Sequence, residues 1–562
     1  MEAVRFKNSF AQNIFRAKYA ATHDETWDNR AYVIVEDVCG TRFGNKRPIM
    51  SEDERKRLTK YISEMKFLPG GRYIYYAGKQ ARYYNNCFLL RAEEDSREEW
   101  GSLSNRAVSC LMVGGGIGID YSRLREKGRT LRRTGGHSSG PLSLMEMINE
   151  DGRRVMQGGS RRSAIYASLD REHGDAQAFL RSKNWHDMPI SGAYTKDNKP
   201  MTVWDAKQED FNYHAPLDMT NISLNYTDKW LNLPDRQKDS IFLENCKQAC
   251  TTGEPGFSFN FGVHENETLR NACTELTSED DSDCCNLGSV NLGNIDSKEE
   301  LLDIITLASK FLICGTMRAE LPYEKVYKVR ENNRRIGLGL MGIHEWLLKR
   351  NYQYEINPEL REWLEIYRDE SVRAANEHCD RFFLSRPKGY RAIAPTGSIG
   401  ILACTTTGIE PLFAVAYKRR YLLNGDQWHY EFVVDSTAQR LIDEYKIDPD
   451  TIETAYKLSN DPERRIKFQA DVQDYVDHSI SSTINLPPWG SEYNNEDTVG
   501  KFAEILSQYA PRIRGFTCYP DGSRGGQPLT EVPYSEAIKN KGTVYREHDL
   551  CSITSKGGVC GA

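Results

Sequence analysis

The sequence predicts an α/β fold with mostly parallel strands. Short, glycine-punctuated apolar stretches alternate with amphipathic helical stretches along most of its 562 residues, the pattern of strand–helix–strand units. The length and the 39% hydrophobic share together allow one large catalytic core with appendages. No apolar run is long enough to span a membrane.

The elements follow in chain order. Residues 9–36 and 51–66 carry helical apolar spacing and many charges, and predict a helical N-terminal region over 1–66. "KFLPGGRYIYYAG" turns at Pro69-Gly70-Gly71 into an aromatic run that reads as β. "LMVGGGIGIDYSRLR" reads as a buried segment, a glycine turn and a strand. "GPLSLMEMINEDGRRVMQ" is helical, and "GGSRRSAIYASLD" passes from a loop into an alternating strand. The same alternation continues through "NNRRIGLGLMGIHEWLLKR" and "YRAIAPTGSIGILACTTTGIEPLF". "PPWGSEYNNEDTV" is a polar connection. After "GFTCYPDGSRGGQPLT" the apolar pattern thins, so 526–562 reads as a mobile tail.

The net charge of −6, with no long basic run, argues against non-specific nucleic-acid binding. The first twenty residues have no apolar leader core, and the chain has fourteen cysteines. Together these imply a reducing cytoplasm. Most of the cysteines should be buried small hydrophobes, Cys246 and Cys250 among them.

Some side chains are placed for chemistry instead. In "NACTELTSEDDSDCCNLGSVNLG", Asn271, Cys273 and Glu275 alternate. In an extended chain they would share one face, and Cys284 and Cys285 follow closely. Cys551 and Cys560 sit in a glycine-rich terminus, where a flexible dithiol can reach a site and then meet a reductant. "APTGSIG" offers Pro395, Thr396, Gly397, Ser398 and Ile399 as a hydroxyl-rich turn, an anion site if a helix starts there. "QGGSRRSA" sets Gly158, Gly159 and Ser160 beside Arg161 and Arg162, suited to nucleotide phosphates. "GGGIG" is not a dinucleotide fingerprint, and neither a metal-ligand motif nor a hydrolase nucleophile elbow occurs.

These stretches together resemble the catalytic subunit of ribonucleotide reductase. The resemblance runs over nearly the whole chain, through "LPGGRY...NNCFLL", "GGGIGIDYSRLREKG", "TGGHSSGPLSLM", "VMQGGSRRSAIYASLD", "NACTE...CNLGSVNL", "NNRRIGLGLMG", "IAPTGSIGILACTTTGIEPLF" and "RGFTCYPDGSRGGQPLT". It implies a ten-stranded α/β barrel over 67–525, built from two five-stranded parallel halves and threaded by a finger loop with Cys273 at its tip. It makes Cys273 the thiyl-radical cysteine, Glu275 the general base on the 3′-OH and Asn271 the amide that orients substrate hydroxyls. Cys87 and Cys285 become the redox pair, and Cys551 with Cys560 the tail dithiol served by thioredoxin or a glutaredoxin-like protein. Asn86 and residues 395–399 become substrate contacts, and 158–162 the effector loop.

The branch implied is class II, which uses adenosylcobalamin. Where class I enzymes carry two adjacent tyrosines to receive a radical from a ferritin-like partner, "GFTCYPDGS" has Tyr519 alone, beside Cys518. The pairs Tyr75-Tyr76 and Tyr83-Tyr84 lie in the wrong region. A class I-like subunit served by a ferritin-like partner is the alternative, and an inactive nucleotide-binding relative a further one. Nothing before "FAQNIFRAKYA" reads as an ATP cone, so on-off control by dATP is expected to be lacking. An effector site at a homodimer interface is expected to remain.

Overall fold

The structure is a computed structural model and describes residues 6–41, 47–133, 135–155, 163–195, 197–210, 212–423, 427–523, 529–541 and 544–546. Its N-terminal helices, Ser9–Lys18, Trp27–Val38 and Glu52–Ser63, each begin at a side-chain cap: Asn8, Thr26, and a Ser51–Glu54 capping box. Their apolar faces are not a separate core. Phe15, Trp27, Ile34 and Ile62 pack in one cluster with helices Lys298–Arg318 and Pro358–Arg381.

Five parallel strands form the first half of the main sheet: Cys87–Arg91, Gly116–Asp120, Ile165–Asp170, Thr220–Tyr226 and Gly256–Phe259. The second half is built from Asp283–Asn291, Ile336–Met341, Thr483–Leu486 and Gly515–Pro520. The halves meet antiparallel at both joints, Cys87–Leu89 against Asp283–Cys285 and Phe257–Ser258 against Gly515–Phe516. The ladder is not closed as one continuous sheet. Between Ile336–Met341 and Thr483–Leu486 it is carried by single bridges, Leu338 to Arg391 and Ile393 to Ile480. The segment around 391–393 thus occupies the remaining strand position, and the expected architecture of two parallel halves is present.

Alternation along the strands sorts side chains into an outer and an inner layer. Phe88, Leu90 and Cys284 face the helices, whereas Cys87, Leu89, Cys285 and Leu287 form a small inner cluster with Leu269 and Leu276. Leu269 and Leu276 belong to the finger, a hairpin in which Leu269–Arg270 pairs with Thr277–Ser278. Glycine makes room for it: a Cβ on Gly118 would lie 1.8 Å from the Arg270 carbonyl oxygen. The finger's base is held by buried ion pairs, with Arg514 at 2.6 Å and Arg335 at 3.7 Å from Glu267, and Arg335 at 2.8 Å from Asp283.

Two expectations give way. The run after Pro69-Gly70 is a helix, Gly71–Tyr76, not a strand. Tyr73 stacks on Tyr84 at 4.7 Å and its hydroxyl accepts a 2.6 Å hydrogen bond from Asn286, so tertiary packing overrides the β preference of the aromatics. Past residue 526 the described residues, 529–541 and 544–546, are not simply a tail. Leu529–Glu531 and Val544–Arg546 pair with the two strands of a hairpin, Ala416–Leu423 and Gln427–Val434, and helix Tyr534–Lys539 lies between them in sequence. Among the described residues no helix is long and apolar enough to cross a membrane. Cys246 and Cys250 are core residues, as expected.

Candidate active site

The finger turns at its tip. Thr274 donates its backbone N–H to the Asn271 carbonyl (3.0 Å) and takes a φ of +69°, so the chain here is not extended as the alternate spacing suggested. The turn splits the trio. Asn271 and Glu275 are buried at 0% and 1% exposure, and Cys273 is exposed at the tip.

Asn271 and Glu275 converge on Cys87. The Asn271 amide donates to Cys87 Sγ at 3.0 Å, and Asn271 Oδ1 accepts from the Leu276 backbone, which fixes the amide's orientation. The Cys87 thiol points to Glu275 Oε1 at 3.8 Å, while Glu275 Oε2 is buried without a hydrogen-bond partner. Burial pushes the Glu275 carboxyl up to about 7, with hydrogen bonds from Asn271 and Cys87 pulling the other way. Burial, reinforced by the Glu275 charge, raises the Cys87 thiol far above its ordinary range, and burial does the same to Cys285.

Cys87 and Cys285 are direct partners across the antiparallel joint. Residues so placed have Cα atoms roughly 4.5–5.5 Å apart, inside the span of a disulfide. Cys284 pairs with Phe88 and faces the helix layer, so of the two adjacent cysteines it is Cys285 that shares the inner face with Cys87.

A cavity of about 260 Å³ opens over these groups. It is lined by Cys87, Asn271, Cys273 and Glu275, by Asn86, and by Pro395, Thr396, Gly397, Ser398 and Ile399. Cys285 lies just behind, as the cross-strand partner of Cys87, so the catalytic and substrate-contact residues expected from the sequence meet in one place. Thr396 has a left-handed backbone (φ +52°) and its hydroxyl accepts from the Gly408 N–H, which holds the loop ahead of the short helix Gly397–Ala403. The sequence reading missed Tyr19, Gly70, Gly71, Arg72 and Ser289, which also line the cavity. "LPGGRY" was visible as a turn, and its cation beside two glycines was the signal available. Tyr19 comes from the end of an N-terminal helix, and no local pattern marks it.

A further cavity, of about 280 Å³, lies at the same tip. Ala272, Cys273 and Pro395 line both cavities, and Tyr166, Asn221 and Tyr519 line this one alone. Cys273 is thus the exposed thiol shared by two chambers. The effector-loop residues Gly158, Gly159, Ser160, Arg161 and Arg162, and the tail cysteines Cys551 and Cys560, lie outside the described residues. Ala164, just past that loop, lines the cavity over Cys87 and Glu275.

A family model described as the ribonucleotide reductase barrel domain matches residues 85–365 and 387–512. Among similar proteins, a vitamin B12-dependent ribonucleoside-diphosphate reductase of Mycobacterium tuberculosis is 26% identical over 85% of this chain and 73% of its own length. One of the same name from Thermoplasma acidophilum is 26% identical over 84% of this chain and 66% of its own. A vitamin B12-dependent ribonucleotide reductase of Streptomyces coelicolor is 21% identical over 80% of this chain and 58% of its own. With the matched segments spanning both halves of the sheet and the finger between them, the chain belongs to the ribonucleotide reductase family.

Proposed function

We propose that this chain reduces ribonucleotides to 2′-deoxyribonucleotides with a thiyl radical on Cys273. The observation that carries the reading is the meeting of Asn271, Glu275 and Cys87 at one cavity with the exposed Cys273, and of Cys285 with Cys87 across the strand joint. A carbon–hydrogen bond of ribose is too strong for a closed-shell thiolate to break, so Cys273 acts as a radical that takes the 3′ hydrogen. Glu275, held near neutrality by burial, takes the 3′-OH proton as base. Asn271 orients the hydroxyls. Cys87 and Cys285, kept protonated by burial, supply two electrons and two protons as the 2′-OH leaves as water, and end as a disulfide. Glu275 then gives its proton back to the 3′ oxygen, and the 3′ hydrogen returns from Cys273, which restores the thiyl radical.

The radical source proposed is adenosylcobalamin, a form of the vitamin B12 on which these relatives are named as dependent. When bound, it supplies a carbon radical by homolysis of its cobalt–carbon bond. The cavity at Tyr166 and Tyr519 fits the nucleoside part of such a group. It opens on Cys273 and carries the two tyrosine rings and the Asn221 amide. Cys551 and Cys560 are proposed to re-reduce the inner pair and to be reduced in turn by thioredoxin or a glutaredoxin-like protein. Residues 158–162 are proposed to bind a nucleotide effector at a homodimer interface, next to Ala164 of the substrate cavity. The enzyme so read is cytoplasmic.

The purified chain with ribonucleoside diphosphate or triphosphate, adenosylcobalamin and a dithiol, and no other protein, is expected to form deoxynucleotide. Activity that ignores adenosylcobalamin and appears only with a metal-loaded partner would overturn the cofactor and leave the site standing. No deoxynucleotide under either condition would overturn the activity.

A further inference from the structure

Two formal charges line the substrate cavity among the described residues, Glu275 and Arg72. Glu275 sits with Asn271 and Cys87, at the groups that act on the ribose. Arg72 has other neighbours. Its guanidinium donates to the Val113 carbonyl and lies over the Tyr76 ring, 4.7 Å from the centroid. It packs against Gly114, where a Cβ would stand 2.3 Å from Nη1, and Gly114 itself is left-handed at φ +81°. A side chain at 114 would both strain the backbone and displace the guanidinium. The arginine is thereby braced from three sides at the cavity wall, next to Gly70 and Gly71 in sequence.

A nucleotide brings a ribose and a polyanion. Burying a polyanion in a partly enclosed cavity without a counter-charge is costly, and hydroxyls and N–H groups of residues 396–398 supply no net charge. We propose that Arg72 is the cation that receives the substrate's polyphosphate, and so sets the preference for phosphorylated over unphosphorylated ribose. A guanidinium suits this role: its planar fork of donors can serve the Val113 carbonyl and phosphate oxygens together, and it stays charged when partly desolvated. This assignment rests on reading the cavity as a ribonucleotide site, and binding tests it independently of any radical source.

The experiment is equilibrium binding of a ribonucleoside and its mono-, di- and triphosphates to the full chain as wild type, R72Q and R72K. In R72Q the diphosphate-to-nucleoside affinity ratio is expected to fall about 10- to 100-fold, the scale of a charge-assisted hydrogen bond, with nucleoside affinity within about 3-fold of wild type. R72K, which keeps the charge and loses the fork, is expected to lie between. A ratio unchanged in R72Q overturns the proposal. So does equal weakening of nucleoside and nucleotide, which would mark a purely structural arginine, and so does a change that follows the base and not the phosphates. Absence of nucleotide binding by the wild type would instead overturn the reading of the cavity.

Discussion

Two pairs of buried cysteines join distant parts of this chain, and their surroundings differ. Cys87 and Cys285 face each other across the joint between the two halves of the sheet, under the cavity and beside Glu275. Cys39, at the end of helix Trp27–Val38, shares a hydrogen bond with Cys314 of helix Lys298–Arg318, whose sulfur lies 3.4 Å from His378 Nε2 in the closed core. The acidities run opposite to the expected uses. Burial raises Cys87 and Cys285 far above the ordinary thiol range. At Cys314 burial also pushes upward, but hydrogen bonds from Cys39 and His378 outweigh it and hold the thiol below that range. A search for a thiol of lowered pKa would choose Cys314. The reduction asks for something else: thiols that still carry protons at neutral pH, next to a base and open to substrate. Place and partners, not acidity, separate the proposed working pair from the packed one, for Cys87 lines the cavity and Cys285 is its cross-strand partner.

The largest effect that tests this comparison is on turnover. Cys87→Ser or Cys285→Ser is expected to lower deoxynucleotide formation by at least about a thousandfold, because members of one reacting unit fail together. Multiple-turnover assays with a small dithiol reductant check it. A serine variant of either residue that keeps wild-type turnover would break the comparison at its centre.

Next in size is Glu275→Gln, expected to cost about 10²- to 10⁴-fold in turnover, the range of a lost general base. Wild-type turnover should rise with pH through about 7, the value to which burial lifts this carboxyl, and the variant should lack that inflection. Stability should move the other way. The folded-state value of about 7 lies above the ordinary 4.5, so the native protein holds the proton more tightly than the unfolded chain. The stability from the neutral carboxyl is complete below about pH 4.5 and is lost as pH rises to about 7. Glutamine has nothing to ionise. Its stability advantage should therefore grow across that window, to on the order of 3 kcal/mol above neutrality. Denaturant unfolding of both proteins from pH 4 to 8 reads it, and parallel curves would mean that Glu275 titrates normally.

The sequence showed these residues more clearly than it showed their geometry. Asn271, Cys273 and Glu275 were legible as a trio, but the alternating-strand rationale fails, because Thr274 turns the chain and leaves Cys273 exposed between two buried neighbours. Strand alternation does distinguish Cys285 from Cys284, yet only once the pairing with Cys87 is known, and register is a property of two strands. The mostly parallel strands were visible as a glycine-punctuated alternation with helices, and their division into two halves only through the family resemblance. The sheet formed by 416–434 with 529–546 was not, since its short partner strands carry no apolar alternation. Tyr19 and Arg72 were hidden for different reasons. Tyr19 arrives from a remote helix, whereas Arg72, in helix Gly71–Tyr76, follows a glycine-rich stretch that reads as a turn, where polar residues ordinarily face solvent.

The smallest effect expected belongs to the packed pair. Cys314 is fully buried, and Cys314→Ala removes the sulfur from a filled core while taking a partner from both Cys39 and His378. The lost contacts and the two polar groups left behind should cost about 2–3 kcal/mol of stability. Turnover at a temperature where the variant is fully folded should stay within about 2-fold of wild type, since nothing in the helix bearing Cys314 lines either cavity. Urea unfolding and the deoxynucleotide assay, run on the same preparation, separate the two quantities. If Cys314→Ala loses turnover with an unchanged unfolding midpoint, the acidic thiol takes part in the chemistry after all. The distinction between a working and a packed pair would then have to be drawn from something other than place.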